Sequence, residues 1–203
     1  MARYPTSVLR GSATDAFRTV LQMRAGAGPV RVLDPTYGEG ISWGAPTLFD
    51  EAIEVVKSDI KMGQDIFTAV ADRQEWHEAF DLIYYDPPWF IDCGTESGDP
   101  RAETYGGYGE QPLQRFIEAV HDLKMFLRPH GELIVKCSDQ YHVPTRRLLL
   151  HHLDWCAELR AAEFDLADFY IYPYHRVSPT AYQVKDRPCA VVAHSYFVVG
   201  KLG

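Results

Sequence analysis

Cysteine is scarce: the four residues Cys93, Cys137, Cys156 and Cys189 stand far apart with no paired spacing. That scatter argues against a zinc site and against a disulfide framework, and it fits a reducing compartment. Eight histidines include the neighbours His151 and His152, but none shows metal-ligand spacing with an acid. No metal is therefore expected, and the pair reads as ordinary helix residues. Positive charge is also short, with 20 Lys and Arg against 28 Asp and Glu for a formal charge of -8. This excludes a protein that wraps a long stretch of nucleic acid, because neutralised phosphates supply most non-specific affinity. No apolar run approaches the length of a membrane span, and Met1 to Arg10 lacks the apolar core of a signal peptide. We expect a cytoplasmic protein with no membrane partner. Repeats, low-complexity tracts and linkers are missing too, so residues 1–203 are expected to form one domain.

What is present is an apolar content of 46% in 203 residues, enough for one α/β unit with a proper core. Two stretches stand out. Phe80-Asp81-Leu82-Ile83-Tyr84-Tyr85-Asp86-Pro87-Pro88-Trp89-Phe90 reads as a buried strand that ends in an acid, two prolines and an aromatic. The prolines cannot continue a ladder, so the polar end must project from the sheet edge, where chemistry sits in open α/β sheets. Val30-Arg31-Val32-Leu33-Asp34-Pro35-Thr36-Tyr37-Gly38-Glu39-Gly40 is a second strand running into an acid and a Gly-x-Gly turn. Missing Cβ atoms there let backbone N–H groups approach a ligand. A dinucleotide loop competes for this stretch, but its fingerprint needs a third glycine where Trp43 stands.

Asp86-Pro87-Pro88-Trp89 resembles the catalytic signature of S-adenosylmethionine (SAM) dependent methyltransferases that modify exocyclic amines of bases. Asp in the first position leans toward adenine, since the cytosine enzymes more often carry Ser. Asp34 to Gly40 is similar to the SAM loop of class I methyltransferases, with Asp34, Pro35, Thr36, Gly38 and Gly40 as cofactor residues. The resemblance further implies Asp59 at the donor's ribose and Asp65 with Ile66 at its adenine. Donor loop first and catalytic motif second is the order of DNA adenine-N6 methyltransferases over nearly the whole chain. The messenger-RNA adenosine enzymes share the tetrapeptide in the reverse order. The fold implied is a three-layer Rossmann-like α/β architecture, with a mostly parallel seven-stranded sheet closed by a C-terminal antiparallel hairpin.

The implied activity is methyl transfer from SAM to adenine N6 in DNA, with structured RNA as the alternative substrate. A non-catalytic methyltransferase-like subunit is a further alternative. So is methylation of a side-chain amide, which normally goes with Asn in place of Asp86. The length leaves no room for the target-recognition domain that the DNA enzymes usually carry. Specificity then falls to loops, a homodimer or a partner. Tyr105 and Tyr108, in the glycine-rich run after Trp89, and Tyr174 and Arg176, in a later Tyr- and Pro-rich stretch, are the candidate substrate contacts, because stacking and phosphate attraction occur there together.

The remaining pattern predicts a helix over about 15–24 capped by Ser12 or Thr14, a strand over 51–59, a crossover helix over 69–79, a helix over 112–127 stopped at Pro129-His130-Gly131, a strand over 131–139, a helix over 144–159, and closing strands over 164–174 and 195–202.

Overall fold

The computed structural model describes residues 6–26, 28–38, 40–44, 52–58, 73–87, 112–142, 147–174 and 194–203. The first helix, α1 (Ala13–Ala25), starts where Ser12 caps it. The Ser12 side chain accepts from the Asp15 N–H while the Asp15 carboxylate accepts from the Ser12 N–H, a reciprocal capping box. Ala16, Phe17, Val20 and Leu21 recur at helical spacing and are buried.

The sheet holds β1 (Val30–Asp34), β2 (Ile53–Lys57), β3 (Phe80–Tyr85), β4 (Leu127–Cys137), β7 (Phe164–Pro173) and β8 (His194–Leu202) in the order β2-β1-β3-β4-β8-β7. The first four run parallel, and β8 and β7 are antiparallel to their neighbours. The expected closing hairpin is therefore present. The seven expected strands are six among the described residues. β2 and β7 are the edges of the described sheet, and no position of β2 is fully buried, which is how a half-covered edge strand reads.

Two packed clusters face opposite sides of this sheet. Leu82 and Tyr84 join the α1 side with Phe17, Val20 and Ile134. Ile83 and Tyr85 join the other, against α2 (Pro112–Lys124) and α3 (His151–Ala161) through Val120, Leu123, Trp155 and Leu159. β3 is covered on both faces, which is why Leu82 to Tyr85 form an unbroken apolar run and do not alternate.

Three expectations about local structure change. α2 ends at Lys124 and the chain is already in β4 at Leu127, with Pro129 and Gly131 inside the strand. A bulge absorbs them: Phe80 pairs with Leu127, yet Leu82 pairs with Glu132, and His130 sits at φ 64°. Where a helix from 144 was expected, β6 (Arg147–Leu149) pairs antiparallel with β5 (Gln140–His142), and α3 begins only at His151. Pairing with β5 overrides the helix preference of the leucines. Of the crossover expected over 69–79, the described part, 73–79, holds a 3-10 turn (Gln74–Trp76) in place of an α-helix; its Trp76 packs edge-on against Phe80 and Phe126. Among the described residues no helix is long and apolar enough to cross a membrane.

Candidate active site

β1 is flanked by β2 on one side and β3 on the other. The chain order therefore reverses between β1 and β3, and their carboxyl ends open a crevice there. Asp34 closes β1 and Asp86 follows β3. Asp34 is buried, 2% exposed. Its Oδ1 accepts from the Thr36 N–H at 2.9 Å and from Thr36 Oγ1 at 3.1 Å, and its Oδ2 accepts from Trp43 Nε1 at 2.5 Å. Burial pushes its carboxyl up to about 7, while the Trp43 and Thr36 bonds, which favour the anion, pull it the other way.

Thr36 joins the two strands. Its hydroxyl donates to Asp34 and also accepts the backbone N–H of Asp86 at 2.8 Å. The turn beyond it is tight. Gly38 and Gly40 lie at φ 55° and 71°. A Cβ on Gly40 would come within 2.5 Å of the Tyr37 hydroxyl, so any side chain would have to displace that ring at a φ that already favours glycine. Beside the turn, Tyr37 takes the Lys57 ammonium over its ring at 4.6 Å.

Asp86 is half-buried, and its Oδ2 collects the polar contacts: Lys136 Nζ at 2.5 Å, Tyr84 OH at 3.3 Å and Ser42 Oγ at 3.4 Å. Among the described residues nothing donates to its Oδ1. Burial opposes the charge of Lys136, but Asp86 more than compensates, and the ammonium is held above its ordinary range. Burial, then the Asp86 charge, keeps the Tyr84 phenol neutral, well above its ordinary value. Pro87 is buried beside them.

Of the residues expected from sequence, Asp34, Pro35, Thr36, Gly38, Gly40, Asp86 and Pro87 come together at this crevice. Tyr174 stands on the same rim, hydrogen-bonded to Ser138 Oγ at 3.0 Å and to Ser195 Oγ at 2.5 Å, and close enough to Lys136 to act on its charge. Pro88, Trp89, Asp59, Asp65, Ile66, Tyr105, Tyr108 and Arg176 lie outside the described residues. The histidine pair is less ordinary than expected. His151 is buried, whereas His152 Nδ1 meets Asp139 Oδ1 at 2.7 Å, and Asp139 Oδ2 also accepts from Tyr196 OH at 3.2 Å.

Three contributors escaped the sequence reading. Trp43, seen only as the residue that breaks a dinucleotide fingerprint, is 5% exposed, packs edge-on against Phe17 at 4.8 Å and holds Asp34. A tryptophan beside a glycine turn must find an acceptor for its N–H when buried, and that was the available signal. Lys136 was visible as a lone cation in Leu133-Ile134-Val135-Lys136-Cys137; the register pairs Tyr85 with Val135, so the next step along β4 lies beside Asp86. Ser42 carried no signal.

No protein-family model matches the sequence, and no curated protein matches it. Among solved structures the chain is similar to the 1,6-didemethyltoxoflavin-N1-methyltransferase of Burkholderia thailandensis with bound S-adenosylhomocysteine (15% identity, 94% of this chain and 78% of that one, TM-score 0.50). It is also similar to the [4+2]-cyclase SpnF (15% identity, 93% and 82%, TM-score 0.51). A Thermus thermophilus protein provisionally described as a DNA modification methylase matches at 17% identity over 68% of this chain, with a TM-score of 0.47. The present chain spans about half of its length, 51%. At these identities the likeness is one of fold, and the fold is an α/β architecture common to SAM-dependent methyltransferases and to an enzyme named for a different reaction.

Proposed function

We propose that the protein transfers a methyl group from SAM to the exocyclic N6 of adenine in DNA. The observation that carries this reading is the double hydrogen bond of Thr36. It locks the Asp34 loop, suited to a methyl donor, against Asp86, suited to an amine acceptor, at the crevice between β1 and β3 where the strand order reverses. The turn at Gly38 and Gly40 supports placing the amino-acid end of SAM there, since both glycines hold the left-handed angles of a tight loop and Asp34 stands at its root. The Burkholderia neighbour, seen with S-adenosylhomocysteine, supports the cofactor class. Asp59 and Asp65 would hold ribose and adenine of the donor.

Bound SAM supplies a methyl group made electrophilic by its sulfonium. The amine of adenine is a poor nucleophile, because its lone pair is delocalised into the ring. Asp86 Oδ1 and the Pro87 carbonyl can each accept one N–H of that amine, favouring the pyramidal nitrogen that gains charge in the transition state. Prolines at 87 and 88 fix those acceptors, and Trp89 would stack on the extruded base. The extra proton leaves N6 for solvent after transfer. Tyr105, Tyr108, Tyr174 and Arg176 would contact the strand around the target base.

The test is methyl transfer from tritiated SAM to unmethylated double-stranded DNA, single-stranded DNA and total RNA in parallel, with nucleoside analysis of the product. N6-methyladenine in DNA is expected, and the same base in RNA alone would move the substrate to structured RNA. Asp86→Ala should abolish transfer and leave SAM affinity little changed, because the backbone bond from Asp86 to Thr36 survives and the side-chain partners it loses, Lys136, Tyr84 and Ser42, lie outside residues 34–40. Transfer retained in that variant would overturn the assignment. SAM binding without labelling of any nucleic acid would favour the non-catalytic subunit, on the rule that fold alone does not establish activity.

A further inference from the structure

We infer that Lys136 reads the target base: together with Asp86 it forms a donor and acceptor pair that selects an amino group beside a ring nitrogen. This rests on the adenine reading above and specifies how the same crevice recognises its substrate.

Lys136 Nζ lies 2.5 Å from Asp86 Oδ2, and both side chains are about one-fifth exposed, at 21%. An ammonium has three donors, and Asp86 is the partner of one of them among the described residues. Tyr84 and Ser42 also crowd onto Oδ2 and leave Oδ1 without a donor among the described residues. Among the described residues the pair therefore presents an unmatched acceptor, Oδ1, and unmatched donors on Nζ. Adenine offers the inverse, an N6–H donor beside the ring acceptors N1 and N7. Thymine and the O6 edge of guanine present a carbonyl oxygen where that amine would be, and the carboxylate repels it. Cytosine and the N2 edge of guanine match the pattern, so the pair selects an amino edge over an oxo edge and leaves the choice among amino edges to the shape of the crevice.

Electrostatic stabilisation is not what Lys136 contributes. The nitrogen gains positive charge during transfer, and a second cation nearby opposes that. Its contribution is orientation: one base edge held at two points fixes the direction of the amine. A hydrogen bond from a charged donor corresponds to roughly 10- to 100-fold in rate or affinity.

The experiment is a cycle between protein and base. Random-sequence single-stranded oligonucleotides carrying natural adenine, 7-deazaadenine or 1-deazaadenine throughout are methylated by the wild type and by Lys136→Met, which keeps the length of the side chain and removes its donors. The wild type is expected to lose about 10- to 100-fold in kcat/KM on one deaza substrate, and Lys136→Met to lose that much on natural adenine but little more on the same analogue. Lys136→Arg should recover part of the activity. Equal losses for Lys136→Met on all three substrates would mean that the lysine only holds Asp86, and would overturn the inference while leaving the proposed function standing. A wild type that binds SAM and methylates no adenine would overturn both.

Discussion

Thr36 is the residue on which the two halves of the site depend, since a single hydroxyl donates to Asp34 and accepts from the Asp86 backbone. Thr36→Val keeps the shape and strands both groups. It should cost about 1–3 kcal/mol by urea denaturation and reduce methyl transfer roughly 10- to 100-fold, as a small displacement of Asp86 would. Asp34 makes a separate claim about pH. Its carboxyl is raised from 3.8 to about 7 in the folded chain, so between those values the folded state holds a proton that the unfolded state has lost. Stability from this group is complete below about pH 4 and disappears as the pH rises to about 7. Asp34→Asn cannot titrate. Urea midpoints of the wild type, referred to those of the variant, should therefore fall across that window. A constant difference would show that Asp34 is ionised throughout. Both residues were legible in the sequence as a strand-terminal acid and its loop. Their coupling was not, because a hydrogen bond between segments 50 residues apart leaves no trace in local pattern.

Among the elements, β3 could be read directly because a strand buried on both faces is apolar along its buried length, and the β7–β8 hairpin because its two runs are rich in aromatic and β-branched residues. β4 could not. Pro129, His130 and Gly131 look like a helix stop, and only the pairing partner reveals that they form a bulge within a strand. Gly131 is the fixed point of that bulge. A Cβ there would lie 2.9 Å from the Arg128 carbonyl and 3.2 Å from the Asp81 carbonyl, and backbone atoms cannot step aside as a flexible side chain can. Gly131→Ala is expected to destabilise by about 1–3 kcal/mol, seen as a lower urea midpoint with an unchanged slope. An unaltered midpoint would mean that the bulge relaxes freely. The β5–β6 pair was hidden for the opposite reason. Leu148-Leu149-Leu150 favours helix locally, and the strand forms because Gln140 to His142 offers a partner.

For the molecule as a whole, charge decides how it can hold a polyanion. The formal charge is -8, and several described cations are already committed to acids: Arg24 to Glu132, Arg31 to Glu54, Lys124 to Glu163, Arg128 to Asp81 and Lys136 to Asp86. Arg24 is the most firmly held, with two bonds to Glu132 at 2.7 and 2.5 Å that tie α1 to β4. Cations for phosphate must then come from the remaining ones, among them Arg10, Arg147 and Arg160 of the described residues and those of the segments between described elements. Those segments contain Arg101, Arg146, Arg176, Lys185 and Arg187. On the proposed function, two to four phosphate contacts follow, and the logarithm of the binding constant for single-stranded DNA should fall with the logarithm of salt at a slope of about -1.5 to -3. Fluorescence anisotropy of a labelled oligonucleotide between 50 and 200 mM salt measures this, and a slope steeper than about -6 would require a basic track that the composition does not supply. Arg176→Ala separates the contributions further. If Arg176 meets a phosphate, its loss weakens binding equally for all sequences and reduces the slope by about one. If it meets a base, affinity falls for some sequences only and the slope holds.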